Sequence, residues 1–476
     1  MMMEKAIGAR ELSSFSRLDA LLAYAASSWP EAVALEATRE HWSYARLLER
    51  ADGLARALAL EPNEPVIVMV SNIPDDIAAL FAVWRARGVA VPVHRGNPQG
   101  VIDRLIERTG ARWVVDGAVR PLHTPAPTPR ALLNDGALII YTSGSTGEPK
   151  GAVLSHSAYC GKLAAIDSQL SFKAGERALL VLNLSFSFGI WVSLLTLARG
   201  GTLVIHERFA PQPFIDALDH GGFKRTALVP TMLRSLFSTD YSGSSLAGQL
   251  LTGGEVLGAT LAARTQAAFP DARLIDIYGL TETATSDFML FPEDYPRFAG
   301  SIGRASPGVR FRIAAPEGES GELQIDTPYR MAGYLDAPDL TAAAFDGPWF
   351  RTGDLGRCRD DGVVELVGRA KDIISRAGIK VSPLEIEHVF SSCSGVAAAM
   401  AVGVPDDVLG ERIHLLVVPR TGVVLDLDSV RGEASHRLPK VKQPDRIYVA
   451  ANLPLGRTGK ADRGALRALI ARGEFG

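Results

Sequence analysis

Apolar residues along this chain fall into two alternating rhythms. From Tyr44 they recur at Leu47, Leu48, Ala51, Leu54, Ala55 and Leu58, the spacing of one helix face, and Ser43 stands where an N-cap belongs. Val66 to Val70, "VIVMV", is instead a short unbroken apolar run, as expected of a strand buried on both faces. A helix over about Asp75–Arg87 stopped by Gly88, the strand "VAVPV" (Val89–Val93), a helix over Val101–Thr109 and a strand over Trp113–Val115 continue the alternation. This β-α-β rhythm predicts parallel, doubly wound sheets. No G-x-G-x-x-G opens any of the units, so a dinucleotide site is not supported.

Two stretches break the rhythm. "PLHTPAPTPR" (Pro121–Arg130) reads as an extended surface connection. Near "VGRAKD" (Val367–Asp372) the elements become shorter, as in "VAAAMAVGV", "RIHLLVVPR" and "DRIYVAA", with one helix near Pro383–Phe390. A small α+β domain of about a hundred residues is the expectation there. The division is set at residues 1–369 and 370–476.

Composition narrows the functional classes. A chain of 476 residues with 47% hydrophobic and 22% charged residues has material for two or more large cores. A net charge of −3 without a basic tract argues against nucleic acid or a membrane surface as the main partner. The three cysteines (Cys160, Cys358, Cys393) are far apart and form no C-x-x-C, the pattern of a reduced, cytoplasmic protein. The N-terminus mixes charges of both signs and does not read as a signal peptide. Ala178–Ala198 carries no charged residue over 21 positions, long enough to span a bilayer, but its Asn, Ser, Gly and Thr favour a buried strand and helix beside a cavity.

The candidate chemistry begins at "YTSGSTGEPKG" (Tyr141–Gly151), straight after the apolar run Ala137–Ile140. Glycines give backbone freedom, hydroxyls and N–H groups donate, and Lys150 adds a point charge, a set suited to phosphate oxygens. The nucleotide P-loop pattern fails, because Gly151 rather than Ser or Thr follows Lys150. A plain surface turn fits the loop about as well as a phosphate site. Further stretches are unusual for pure structure: "LLTGGEVLG" (Leu250–Gly258), "DIYGLTETATS" (Asp276–Ser286), "WFRTGDLG" (Trp349–Gly356), "ELVGRAKDIISRAGIKVSPLEIE" (Glu365–Glu387) and "LPLGRTGKADRGAL" (Leu453–Leu466).

In this order and spacing they resemble the adenylate-forming enzymes: acyl- and aryl-CoA synthetases, peptide-synthetase adenylation domains and firefly-luciferase-like proteins. The resemblance covers essentially the whole chain. It implies an α/β fold, with a large N-terminal domain of doubly wound, mostly parallel sheets plus a small β-barrel-like part, followed by a small mobile α+β C-terminal domain. It also implies activation of a carboxylic acid with ATP and Mg²⁺ to an acyl-adenylate, release of pyrophosphate, and capture of the acyl group by a thiol.

Carried over by position, Thr142, Ser143, Ser145, Thr146 and Lys150 line the triphosphate. Gly253, Gly254 and Glu255 run along the adenine edge, with Tyr278, followed by Gly279, stacked on its face. Thr281 donates to phosphate and Glu282 ligates Mg²⁺, a cation that prefers hard oxygen ligands. Asp354 accepts from both ribose hydroxyls, Arg369 supports the same sugar, and Lys460 bridges the substrate carboxylate and the α-phosphate. Lys371 takes the hinge position, and Ala377 and Gly378 of "RAGIK" sit where relatives thread pantetheine.

The charge-free stretch resembles the family's substrate pocket, built here from Phe186, Phe188, Gly189 and Trp191 with Val229, Thr231 and Gly253. Amino-acid-activating relatives carry an Asp that pairs with the α-ammonium, and the alignment puts Gly189 there; an unpaired buried ammonium is costly. Phe186 replaces the His of many acyl- and aryl-CoA synthetases, and the aromatics suit core packing as well as a pocket. The expected substrate is a hydrophobic acid, aromatic or short rather than long-chain. No carrier domain is recognisable, so the thiol is CoA, or phosphopantetheine on a separate acyl carrier protein. An inactive ligand-sensing relative is the third reading, disfavoured because Lys460, Glu282 and Asp354 are all present. The oligomeric state, a homodimer included, stays open.

Overall fold

The computed structural model describes residues 11–475 except 39, 123–128, 144–148, 240, 242, 244–245, 360 and 457–460, and the side chain of Ser143. The loop calls Ser145 and Thr146, and Lys460, lie outside the described residues.

The sequence rhythm produces two large sheets. In the first, seven strands run in the order Gly333–Tyr334, Pro149–Ser155, Gly136–Ser143, Val89–His94, Pro65–Val70, Trp113–Asp116 and Ala118–Pro121. The interior pairings are parallel and the outer ones antiparallel. The second sheet has nine strands. Its middle runs parallel from Arg273–Tyr278 through Gln249–Gly253, Arg225–Leu228, Arg177–Leu180 and Thr202–Ile205 to Val33–Ala37. Pro65–Val70 is buried at every position, which is why its pattern is a continuous apolar run. The helix Tyr44–Ala57 is capped as expected: the Ser43 hydroxyl accepts from the Arg46 N–H.

One core cluster joins both sheets. It holds Val66, Val68 and Leu138 from the first and Leu180, Leu203, Leu251 and Ile275 from the second, with Phe81, Trp84 and Trp191 from helices between them. The charge-free stretch resolves into the strand Arg177–Leu180 and the buried helix Ser187–Ala198. Among the described residues no helix is long and apolar enough to cross a membrane.

A third, wholly antiparallel sheet is built on Arg310–Ala314, Gly321–Asp326, Trp349–Cys358 and Val364–Arg369, over its own core of Phe288, Ile302, Leu323 and Ile325. Its pairings trace an open path among the described residues. The fourth sheet is assembled from strands between Ile374 and Val449, and its core begins at Ile374. A 3-10 turn, Ala370–Asp372, connects the third sheet to it, with Lys371 exposed. Across this joint the Ser382 hydroxyl donates to the Val367 carbonyl and the Thr421 hydroxyl donates to the Ser238 carbonyl at 3.0 Å.

Candidate active site

Two groups of side chains come together at the ends of the sheets. The first surrounds Glu282. The strands Gly136–Ser143 and Pro149–Ser155 form an antiparallel pair with Thr142 opposite Lys150. Thr142 Oγ1 donates to Glu282 Oε1 at 3.4 Å, and the Tyr334 hydroxyl donates to the same oxygen at 2.9 Å. The Lys150 ammonium stands over the Tyr334 ring, 5.2 Å from its centroid. The Glu282 carbonyl accepts from the Met331 N–H, tying the segment that carries Tyr334 to the segment that carries Glu282. Among the described residues no hydrogen bond reaches Glu282 Oε2.

No group of three His, Cys, Asp or Glu able to hold a metal exists among the described residues. A single carboxylate with hydroxyls beside it nevertheless fits Mg²⁺, which keeps waters and phosphate oxygens for most of its ligands. Thr281, next to Glu282, is half-buried.

The loop that presents these residues is strained. Ala284, Thr285 and Ser286 follow one another in the left-handed region with φ of 56°, 67° and 52°. For non-glycine residues each such conformation costs about 1–3 kcal/mol and persists only where its surroundings impose it. Gly279 makes the path possible, since a Cβ there would sit 2.2 Å from the Ser286 nitrogen. Gly279→Ala is therefore expected to destabilise the fold by at least about 1–3 kcal/mol, the range for overpacking. A denaturant midpoint equal to wild type would contradict this close approach.

The second group is Tyr278, Asp354 and Arg369. Asp354 is 4% exposed and accepts from the Tyr278 hydroxyl at 2.7 Å and from Arg369 Nε at 2.9 Å. Burial and the Asp354 charge together hold the Tyr278 phenol well above its ordinary pKa, so it remains a donor. The Arg369 side chain is 55% exposed. Two residues before Tyr278, Asp276 is buried, and burial pushes its carboxyl up to about 8, leaving it mostly protonated near neutrality.

Gly253 ends a buried strand where a Cβ would lie 2.4 Å from the Ile277 carbonyl oxygen, and Gly254 turns the chain with φ of 82°. Glu255 is committed to structure: Thr231 Oγ1 donates to it at 2.8 Å and Arg234 at 3.2 Å. The Thr231 hydroxyl is thus turned to Glu255, and Val229 caps the same short helix, Pro230–Leu236.

The pocket expectation needs correction at two positions. Gly189 presents no face to a cavity, because a Cβ there would lie 2.7 Å from the Asn183 carbonyl oxygen. The residue sharing a face with Trp191, four positions earlier, is Ser187. Trp191 itself is 0% exposed and packed in the main core, with the half-buried Phe188 stacked on it at 5.3 Å and 16°. Phe186 is half-buried at the helix N-cap. Ser187 Oγ and Trp191 Nε1 are buried without hydrogen-bond partners among the described residues. Ala377 and Gly378 form the left-handed tip of a hairpin between Ile374–Arg376 and Ile379–Val381, and both are exposed rather than enclosed.

Tyr334 was not among the residues expected from sequence, nor was Asn72. Buried Asn72 donates to the Leu182 carbonyl at 2.8 Å and accepts from the Leu184 N–H, fixing the start of the aromatic stretch from the other sheet. No local pattern marks either residue.

Residues 22–131 and 116–335 match the model of the AMP-binding enzyme family, and residues 385–460 match its C-terminal domain. A feruloyl-CoA synthase of Amycolatopsis sp is 30% identical over 479 residues, covering 92% of this chain and 96% of that protein. A sulfoacetate–CoA ligase of Cupriavidus necator is 33% identical over 408 residues, covering 83% and 77%. The ATP-bound crystal structure of MatB from Rhodopseudomonas palustris superposes with a TM-score of 0.85 at 25% identity, covering 96% of this chain and 99% of that one. The chain belongs to the AMP-binding, adenylate-forming enzymes and is an AMP-forming acid–thiol ligase.

Proposed function

We propose that the protein activates a hydrophobic, aromatic or short carboxylic acid and transfers it to CoA. The observation that carries the substrate class is the half-buried Phe188, stacked on the core residue Trp191 and close in sequence to half-buried Phe186. It offers an aromatic stack and no charge, so an amino acid's ammonium finds no partner there. Two buried polar atoms behind this ring, Ser187 Oγ and Trp191 Nε1, are unpaired among the described residues and suit an oxygen substituent on the acid.

In the first step a carboxylate oxygen attacks the α-phosphorus of ATP, the α–β P–O bond breaks and pyrophosphate leaves. In the second a thiolate attacks the acyl carbon and AMP leaves. Thr142, Ser143, Ser145, Thr146 and Lys150 hold the triphosphate, with Thr281 beside it. Glu282, oriented by Thr142 and Tyr334, would hold Mg²⁺, which would supply positive charge against the phosphates. Tyr278 and the Gly253–Glu255 segment border the adenine, and Asp354 and Arg369 take the ribose. Lys460 meets the α-phosphate, carried by a C-terminal body (370–476) that turns at Lys371.

The test is acid-dependent pyrophosphate exchange with benzoate, cinnamate, ferulate, hexanoate, palmitate and the twenty amino acids. Each active acid is then offered CoA or a phosphopantetheinylated carrier protein. Aromatic acids should lead, with ferulate ahead of unsubstituted cinnamate, and CoA should be the acceptor. An amino acid as best substrate would overturn the pocket assignment, and turnover with the carrier alone would overturn the acceptor.

A further inference from the structure

Lys162 carries a charge that the reaction scheme does not use. It lies on the helix His156–Leu170 and is 1% exposed, one of the largest fully buried side chains in the molecule. Its ammonium donates to Asp287 Oδ1 at 2.8 Å and stands over the Tyr329 ring, 5.2 Å from the centroid. Asp287 is itself fully buried and closes the loop that begins at Thr281 and Glu282. It accepts from the Thr283 hydroxyl, its N–H donates to the Tyr278 carbonyl, and its carbonyl accepts from the Ser306 N–H. Tyr329 lies on the other segment, which runs on to Met331 and Tyr334, both of which donate to Glu282. Gly161 makes room for the ring, since a Cβ there would sit 2.8 Å from it.

One cation therefore touches both segments that meet at Glu282, and it anchors the far end of the strained Ala284–Ser286 path. A buried ion pair is weak evidence for stability, because an apolar pair of similar size often packs as well. Its location calls for another explanation.

We propose that Lys162 is a positioning residue: through Asp287 and Tyr329 it fixes the Glu282 carboxylate in the geometry that receives the cation of Mg·ATP. This rests on the assignment of Glu282 as the metal ligand. Lys162 touches neither nucleotide nor acid. It acts by holding the two segments in register.

The experiment replaces the pair together, as K162M/D287L, so that no buried charge is stranded. Calorimetry then measures AMP binding, and ATP binding with and without Mg²⁺, on the full chain. The expected result is a cooperative fold, AMP affinity within about twofold of wild type, and at least a tenfold loss of the tightening that Mg²⁺ gives to ATP, the scale for removing a residue that orients a metal ligand. Unchanged Mg²⁺-dependent tightening would overturn the proposal. So would equal losses for AMP and Mg·ATP, which would mark a purely structural pair.

If the double variant does not fold, D287N, which keeps the volume and an oxygen for the ammonium, is read by the same two affinities against the same outcomes. The wild type separates the two levels of inference. If Mg²⁺ does not tighten its ATP binding, the Glu282 assignment fails, whatever the variants do.

Discussion

Replacing Lys460 by alanine is expected to slow acyl-adenylate formation at least about 10²-fold, the scale for losing one donor aimed at developing charge. Adenylation drives an anionic carboxylate against a polyanion. The barrier is largely electrostatic, so a lysine meeting both carboxylate and α-phosphate acts on the transition state itself. In the second step the attacked atom is the acyl carbon and AMP leaves.

If the C-terminal body turns between the steps, Lys460 has no part in thiolation. Thioester formation from chemically prepared acyl-adenylate should then be nearly intact in Lys460→Ala. Lys371 sits exposed in the short turn Ala370–Asp372, between two sheets with separate cores. Proline there fixes φ and stiffens the joint, so Lys371→Pro should spare adenylation and slow thiolation. Single-turnover kinetics of each half-reaction in both variants decides the matter. Equal losses in both steps for Lys460→Ala would remove the alternation model.

Asp354→Ala should weaken ATP and AMP alike, by at least about 10²-fold. A hydrogen bond to a charged group is worth about 1.5–3 kcal/mol, and the expected ribose contact uses two of them. Asp354 also organises its surroundings: Tyr278 and Arg369 both donate to it, one on each oxygen. Removing the carboxylate leaves the Tyr278 hydroxyl without its acceptor and lets Arg369 swing into solvent. Asp354→Asn is the control, keeping one acceptor oxygen but no charge. Its affinity should fall between those of wild type and Asp354→Ala by calorimetry with AMP. Unchanged AMP affinity in Asp354→Ala would place the ribose elsewhere.

What the sequence determined by itself is what depends on near neighbours in the chain. The Ser43-capped helix Tyr44–Ala57 and the buried strand Pro65–Val70 were legible because a helix face and a two-sided strand impose a period on adjacent residues. The motif stretches were legible for a related reason: a tight backbone turn must carry glycine, hydroxyl and charge at fixed short spacing. The tertiary structure alone decided which distant side chains complete the site. Tyr334 reaches Glu282 across 52 residues, Asn72 reaches Leu182 across 110, and Lys162 reaches Asp287 across 125. A periodic pattern states which face is buried and never names the partner on another element. The pocket helix shows the same limit at closer range. Its sequence promised an uncharged lining at Gly189, but helical geometry turns that position into the Asn183 carbonyl and brings Ser187 to the face of Trp191 instead.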